Sequence, residues 1–532
     1  MTRSITLFLV ALLAINFSSC STTARQTGAA KSISAKYADL PSALAAAESA
    51  NARGLDKEEN RLAYNEAVKQ VVMHWQAGNG DKARNKASMI KSGDRSYQLT
   101  VTWPEDMRFD ELIPALPLEN RKFGRNVERQ GIGANFVSRW KNTPERKKQD
   151  QFMSEVGYVS PVTAVLDFRK SSAVTLQIRD PRAEKSIVIN GKTQILAGDF
   201  SAVGEWLGTI SKVEKLGMSG LGAMKQSASN LDKLGLLALE PPSKDRIPLV
   251  LVHGLMSRPM TWNNAINELS VDPVLRKNYQ IFLFRYPTGV PVAFSAAKFR
   301  KALTALHVEL ERIGNHRASH HMVLIGHSMG GLLSRAQIQY SGDVLWEKIL
   351  GAKPEDLNLT KEERAALAEY LEFKPNPYVD RVIFICSPHR GSKLAVGFAG
   401  AVGRRMIKLP GSVLGGTLKI LQGDAFSNDV VKKFLAKGLP SSIENLSPKS
   451  KYVMLSNQLE MNKGVHLHSI IGNRDGRLLT DPKCSDGVVP YASAHIAGAE
   501  SELIVESNHG AHEKSEAIEE VHRILLLHLK GL

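Results

Sequence analysis

Five residues, Gly326-His327-Ser328-Met329-Gly330, set a hydroxyl between two glycines. They follow the apolar run Met322-Val323-Leu324-Ile325 and precede a helix-compatible stretch from Gly331 to Tyr340. Strand, glycine-flanked serine, helix is the order that thrusts a serine oxygen out at the end of a sheet as a nucleophile. Bulkier neighbours would clash with strand and helix, and the helix N-terminus would lie beneath any oxyanion that forms. Such pentapeptides are common: at average glycine and serine usage, roughly one chain of this length in five carries one by accident. The surroundings have to decide.

Attack on a carbonyl also needs N–H donors for the oxyanion, a base for the serine and a carboxylate that orients the base. Val252-His253-Gly254-Leu255 ends a predicted strand, and its glycine lets the backbone approach. The N–H groups of Leu255 and Met329 are therefore the expected oxyanion donors. A base is expected from the loop after the last strand, where Asn508-His509-Gly510 offers His509. A carboxylate is expected beyond an earlier strand, where Ser485-Asp486-Gly487-Val488-Val489-Pro490 offers Asp486. An aspartate in a turn is usually a turn former. Asp475 and Asp481 compete in the same segment, and His512, expected in the first turn of the closing helix, competes with His509. His327 reads as packing beside the nucleophile. His316, His320 and His321 precede a strand with no carboxylate cluster accompanying them, so no metal site is expected. The chemistry requires no organic cofactor.

These residues sit on alternating strands and helices from Ile247 onward, the sign of an α/β architecture with a mainly parallel sheet covered on both faces. Strands are predicted at Ile247–His253, Gln280–Tyr286, Met322–Ile325, Arg381–Cys386, Leu467–Ile471 and Ser501–Val505, with a closing helix from His512 to Leu529. The domain 246–532 carries a charged helical insertion at 343–376 and another at 394–460, whose patch Val402–Ile420 reads equally as a lid or a capping subdomain. Ahead of it, residues 21–95 read as a tether and a helical module, similar to one tetratricopeptide hairpin, with helical character from Lys36 to about Lys91. Residues 96–200 read as β-rich, with runs at Gln98–Trp103, Val162–Phe168, Ala173–Ile178 and Ser186–Ile189 that could lend strands to the later sheet's edge. Residues 201–245 read as a helical linker.

The chain has 532 residues, 43% hydrophobic and 23% charged, enough for two or three domains with sizeable cores. Its formal charge of +16 and pI near 9.5 favour anionic partners. The basic stretch Arg121–Lys148 reads as a solvated face, with attraction to an anionic membrane weighed beside it. No zinc finger, RNA-recognition or helix-turn-helix pattern accompanies it, so nucleic acid is not an expected partner. At the N-terminus, Arg3, the apolar segment Ile5–Phe17 and Ser18-Ser19-Cys20-Ser21 form an export-type signal over residues 1–20. Cys20 there resembles the lipobox of bacterial lipoproteins, although Phe17 departs from its usual leucine. The resemblance implies a lipidated Cys20 and, with serine following, an outer-membrane anchor facing the periplasm; ordinary signal-peptide cleavage with soluble export, and a retained anchor, stand as alternatives. Cys386 and Cys484 are too few for a disulfide framework or a four-cysteine site and read as buried thiols.

Ile247–Leu255, Tyr286-Pro287-Thr288-Gly289, Gly326–Gly331, Ser387-Pro388-His389-Arg390-Gly391-Ser392 and Ser485–Pro490 together resemble the α/β-hydrolase superfamily, specifically its bacterial lipase/esterase-like members. The likeness runs from Ile247 to the C-terminus. It implies a triad of Ser328, Asp486 and His509, an oxyanion pair of Leu255 and Met329, and an ester or lipid substrate. The same elbow serves acyltransferases and amidases, and the fold also hosts non-catalytic envelope scaffolds, so these stand as alternatives.

Overall fold

The computed structural model describes residues 37–78, 84–92, 95–122, 124–168, 173–189, 191–210, 234–393, 428–436 and 441–532. Cys20 with its export-type segment, and the patch Val402–Ile420, lie outside the described residues. Among the described residues, no helix is long and apolar enough to cross a membrane.

Two alanine-rich helices, Leu40–Ala52 and Glu58–Ala77, form the first hairpin. Asp39 starts it: its carboxylate accepts from the Ser42 N–H while the Ser42 hydroxyl accepts from the Asp39 N–H. The shared face of Leu44, Ala47, Val68 and Val71 packs on a six-stranded sheet. Tyr64 fastens it there. Its hydroxyl donates to the Leu166 carbonyl (2.5 Å) and accepts from the Leu166 N–H (2.8 Å), satisfying a buried phenol.

That sheet comprises β1 (Ala87–Ser92), β2 (Arg95–Thr102), β3 (Glu111–Pro114), β5 (Ala134–Trp140), β6 (Tyr158–Asp167) and β7 (Ala173–Arg179), in the order β1-β2-β7-β6-β5-β3. The short strands β4 (Glu128–Arg129) and β10 (Gly198–Asp199) pair with each other, and β8 (Ser186–Ile189) forms a hairpin with β9 (Lys192–Ile195). Two expectations are corrected here. Helical character stops at Ala77, and Ala87–Lys91 belongs to the edge strand β1, paired in register with β2. The β-rich region also builds a sheet of its own. The strand that edges the later sheet, β11 (Gly235–Ala238), comes instead from the segment read as a helical linker.

The later sheet adds β12 (Ile247–Val252), β13 (Tyr279–Arg285), β14 (Met322–His327), β15 (Val379–Ile385), β16 (His466–Gly472) and β17 (Ser501–Val505), in the order β11-β13-β12-β14-β15-β16-β17. All neighbours are parallel except β11 and β13. Every residue of β12 and β14 is buried, because helices cover both faces and leave no polar side to alternate with. The helix Val292–Arg312 packs Phe299, Leu303 and Leu306 against Phe284 and Leu324 on one face. The helix Ser515–Gly531 packs Ile518, Val521 and Ile524 against Leu249, Ile325 and Ile383 on the other. The 343–376 insertion holds the helices Val344–Leu350 and Lys361–Leu371.

Six of the nine basic residues between Arg121 and Lys148 have partners within the fold, while Lys122, Lys141, Lys147 and Lys148 remain exposed to solvent. Arg121 binds Glu128 (2.7 Å) and Asp199 (2.5 Å), Arg139 and Lys141 share Glu111, Arg146 meets Asp110, and Arg125 meets Glu268. Arg129 spends its guanidinium on the carbonyls of Pro181, Glu184 and Leu196.

A buried ion network joins the two sheets. Arg182 lies between Asp180, just past β7, and Glu240, just past β11, at 3.0 and 2.6 Å; Arg246 and Arg276 complete it. Burial alone would raise the Glu240 carboxyl, but Arg182, Arg246 and Arg276 hold it well below the ordinary range. Removing one member of such a network strands the charges that remain. Arg182→Met is therefore expected to cost about 3 kcal/mol, read as a lower urea midpoint at unchanged slope.

Candidate active site

The turn after β14 is built by steric exclusion. Ser328 sits at φ 54°, ψ −123°, a conformation that non-glycine residues hold only when their surroundings enforce it. A Cβ at Gly326 would lie 2.6 Å from the Gly330 carbonyl, and one at Gly330 would lie 2.2 Å from the Val252 carbonyl. The Ser328 N–H is satisfied by the Ile385 carbonyl (2.9 Å), which ties the turn to β15. The helix that follows is shorter than the sequence suggests: it runs Met329–Arg335, and Gln339 pairs instead with Met461.

The structure brings three distant residues together. His509 Nε2 lies 2.9 Å from Ser328 Oγ, and His509 Nδ1 lies 2.7 Å from Asp486 Oδ2. Asp486 is 2% exposed, and its Oδ1 accepts from the N–H groups of Val488 (2.7 Å) and Val489 (2.6 Å). With one oxygen fixed by backbone donors, the other faces the imidazole as an acceptor. That favours the tautomer with hydrogen on Nδ1 and a free lone pair on Nε2 towards the serine. Gly472, the last residue of β16, makes room, since a Cβ there would stand 2.8 Å from the Asp486 Cβ.

The competing residues lie elsewhere. Asp475 pairs with Arg474 (3.0 Å) and Asp481 with Arg477 (3.3 Å) at the surface. His512 falls in a 3-10 turn ahead of the closing helix, where its Nε2 meets Thr261 Oγ1 (2.6 Å) and its ring packs edge-on to Trp262. Burial, reinforced by His509, pushes its pKa down to about 3. His327 stacks on His512 and approaches the His509 carbonyl through Nε2 (2.8 Å). Burial first, then His512 and His509, hold its pKa well below the usual imidazole value, so it stands neutral as a donor to that carbonyl. Its role is thus more than packing: it anchors the backbone of the histidine loop.

The expected oxyanion donors lie on two turns that meet. A Cβ on Gly254 would come within 2.9 Å of the Ser328 Cβ, so the 253–255 turn abuts Ser328 and requires glycine. Among the described residues, neither the Leu255 nor the Met329 N–H donates to a protein acceptor, leaving both free for a ligand. Two residues whose roles the sequence did not disclose hold this turn. Tyr286 Oη donates to the His253 carbonyl (2.6 Å), and Thr288 Oγ1 accepts from the Met256 N–H (3.2 Å). The Ser387–Ser392 loop braces the other side. Arg390 caps the carbonyls of Ala492 and His495 at 2.9 and 2.6 Å, and Ser392 Oγ donates to the Val488 carbonyl beside Asp486 (2.7 Å). Cys386 and Cys484 are buried free thiols; Cys386 offers its sulfur within 4.8 Å of ligand atoms on Asp486 and His509.

No protein-family model matches the chain, and no curated protein matches it in sequence. Solved structures similar to it include the Staphylococcus hyicus lipase, with 13% identity, a TM-score of 0.32, and coverage of 55% of this chain and 97% of that one. The Bacillus licheniformis lipase BlEst2 in propeptide form gives 17% identity and a TM-score of 0.31, covering 54% of this chain and 52% of that one. Phospholipase PlaB from Legionella pneumophila gives 18% and 0.27, covering 47% and 45%. The chain thus spans about half the length of two of these three.

Burial also depresses His253 to about 4. A histidine depressed on folding takes up its proton more readily in the unfolded chain. Its stabilising contribution is whole above about pH 6.5 and is lost as pH falls towards the folded value. The thermal midpoint is therefore expected to drop between about pH 6.5 and 4, with at most ~1.4 kcal/mol per such histidine per pH unit. Calorimetry across that range checks it, and His512→Gln should flatten the slope.

Proposed function

We propose that this chain is a serine hydrolase of the α/β-hydrolase type that cleaves carboxylic esters. The observation that carries the reading is the pair of contacts through His509, 2.9 Å to Ser328 and 2.7 Å to Asp486. Support comes also from the strained serine, the sheet order around it and the two free backbone donors.

As Ser328 Oγ attacks the ester carbonyl, His509 Nε2 takes its proton, and Asp486 stabilises the resulting imidazolium without itself accepting a proton. The N–H groups of Leu255 and Met329 receive the oxyanion, each worth about 3 kcal/mol in the transition state. Collapse expels the alkoxide, which takes the proton from His509, and leaves an acyl group on Ser328. Water, deprotonated by His509, then attacks the acyl carbonyl; the proton returns to Ser328 Oγ as the free acid leaves.

The substrate class stops at carboxylic esters. Membrane anchoring, basic charge and an apolar lid would favour lipid esters; six of the nine basic residues have partners within the fold, and Cys20 and Val402–Ile420 lie outside the described residues.

A fluorophosphonate probe is expected to label the protein on Ser328 and to leave Ser328→Ala unlabelled. An unreactive wild type overturns the proposal. Asp486→Asn, which keeps the shape but loses the tautomer control, is expected to lower kcat about 10⁴-fold on a nitrophenyl ester. With an alcohol acceptor present, free acid is expected to outpace the transesterified product; the reverse ratio would make the chain an acyltransferase.

A further inference from the structure

At the far end of β14 from Ser328, the fold assembles a second group of side chains that the proposed hydrolysis does not use. His307 and Glu311 stand one turn apart near the end of the helix Val292–Arg312 and therefore share a face. His320 closes the 3-10 turn Ala318–His320 that leads into β14. One ligand atom from each of the three lies within 4.8 Å of the others. His307 is 8% exposed, its ring is stacked on Tyr378 with centroids 3.6 Å apart, and its Nδ1 is buried with no hydrogen-bond partner. A buried polar atom without a partner is costly unless something fills its place.

The other two donors already converge. Glu311 Oε1 accepts from Ser319 Oγ (2.7 Å) and lies 3.6 Å from His320 Nε2, while Oε2 meets His316 Nδ1 at 2.7 Å. The His320 ring packs edge-on to His307 at 4.5 Å.

We propose that His307, Glu311 and His320 bind a divalent transition-metal ion of the zinc type. Two imidazoles and a carboxylate form a donor set that suits zinc and the later first-row ions, whereas magnesium and calcium call for oxygen ligands. Metal–ligand bonds of about 2.0–2.2 Å require tighter convergence than the apoprotein spacing. The His320 side chain is 48% exposed and Glu311 33%, so both can swing inward while the stacked His307 stays fixed. His316 holds the carboxylate from outside, the usual position of a partner that orients a ligand. The ion would staple the end of the helix to the turn that starts β14. It lies roughly 20 Å from Ser328, the length of a six-residue strand, so its effect falls on stability and not on ester cleavage.

The test uses the full chain, stripped with chelator and titrated with zinc by calorimetry, with the thermal midpoint followed in parallel. One equivalent is expected to bind saturably and raise the midpoint, as a ligand of the folded state must. Calcium and magnesium are expected to do neither. Glu311→Gln with His320→Ala should weaken zinc binding at least about tenfold, remove the shift and leave metal-free ester hydrolysis unchanged. His320→Ala alone serves if the double variant does not fold. His509→Asn, which dismantles the other potential ligand group (Cys386, Asp486 and His509), should bind zinc as the wild type does. Absence of saturable binding, equal binding by the His320 variants, or loss of binding in His509→Asn would each overturn the assignment.

Discussion

Everything at this site depends on one backbone angle. Ser328 holds φ 54° because the strand before it, the helix after it and β12 beside it leave the chain no other path. Glycines at 326, 330 and 254 remove the atoms that would collide, and the Ser328 N–H locks onto β15. The hydroxyl is thereby aimed by the sheet rather than by its own rotamer preference. Strain of this kind costs about 1–3 kcal/mol and survives only where packing over-determines it. Here the overdetermination comes from two fully buried parallel strands.

A second constraint is electrostatic. Four histidines crowd the site: His253, His327, His509 and His512. Were several to be charged together, they would repel one another and draw the Asp486 carboxylate away from a single partner. Burial prevents that for His253, His327 and His512 by holding their pKa values low. His509 alone contacts both the serine and the carboxylate. Its neighbours act as neutral spacers and hydrogen-bonding struts, and His327 secures the very peptide that carries it.

The central strands were legible because a strand buried on both faces must be written almost wholly in apolar residues. Ile247–Val252 and the run Met322–Ile325 announce themselves in this way. The edge strand Gly235–Ala238 does not, being four residues long and preceded by a helix-like run. Ser328 was legible from its glycines, whose spacing is a local steric demand. Asp486 was not separable from Asp475 and Asp481 by local pattern alone, since all three suit turns. What distinguishes it is Gly472 and the His509 imidazole, which meet it only in three dimensions. The internal pairing of the basic stretch was hidden for a related reason. The acids that Arg121 and Arg125 meet at Asp199 and Glu268 lie 78 and 143 positions away, and no local reading can pair them. Glu311, the carboxylate that meets His316 and His320, sits on the preceding helix.

The ion network around Arg182 carries a consequence for how this molecule is put together. Asp180 lies just past β7 of the first sheet, Glu240 and Arg246 flank the entry to the second sheet's parallel strands, and Phe152 and Met153 from the first half plug the second half's core. Each half supplies atoms without which the other would expose an unneutralised charge or an apolar hole. The half that carries Ser328 is therefore no portable cassette: its charge balance and its core both draw on residues around Phe152, Met153 and Asp180 that precede it in the chain.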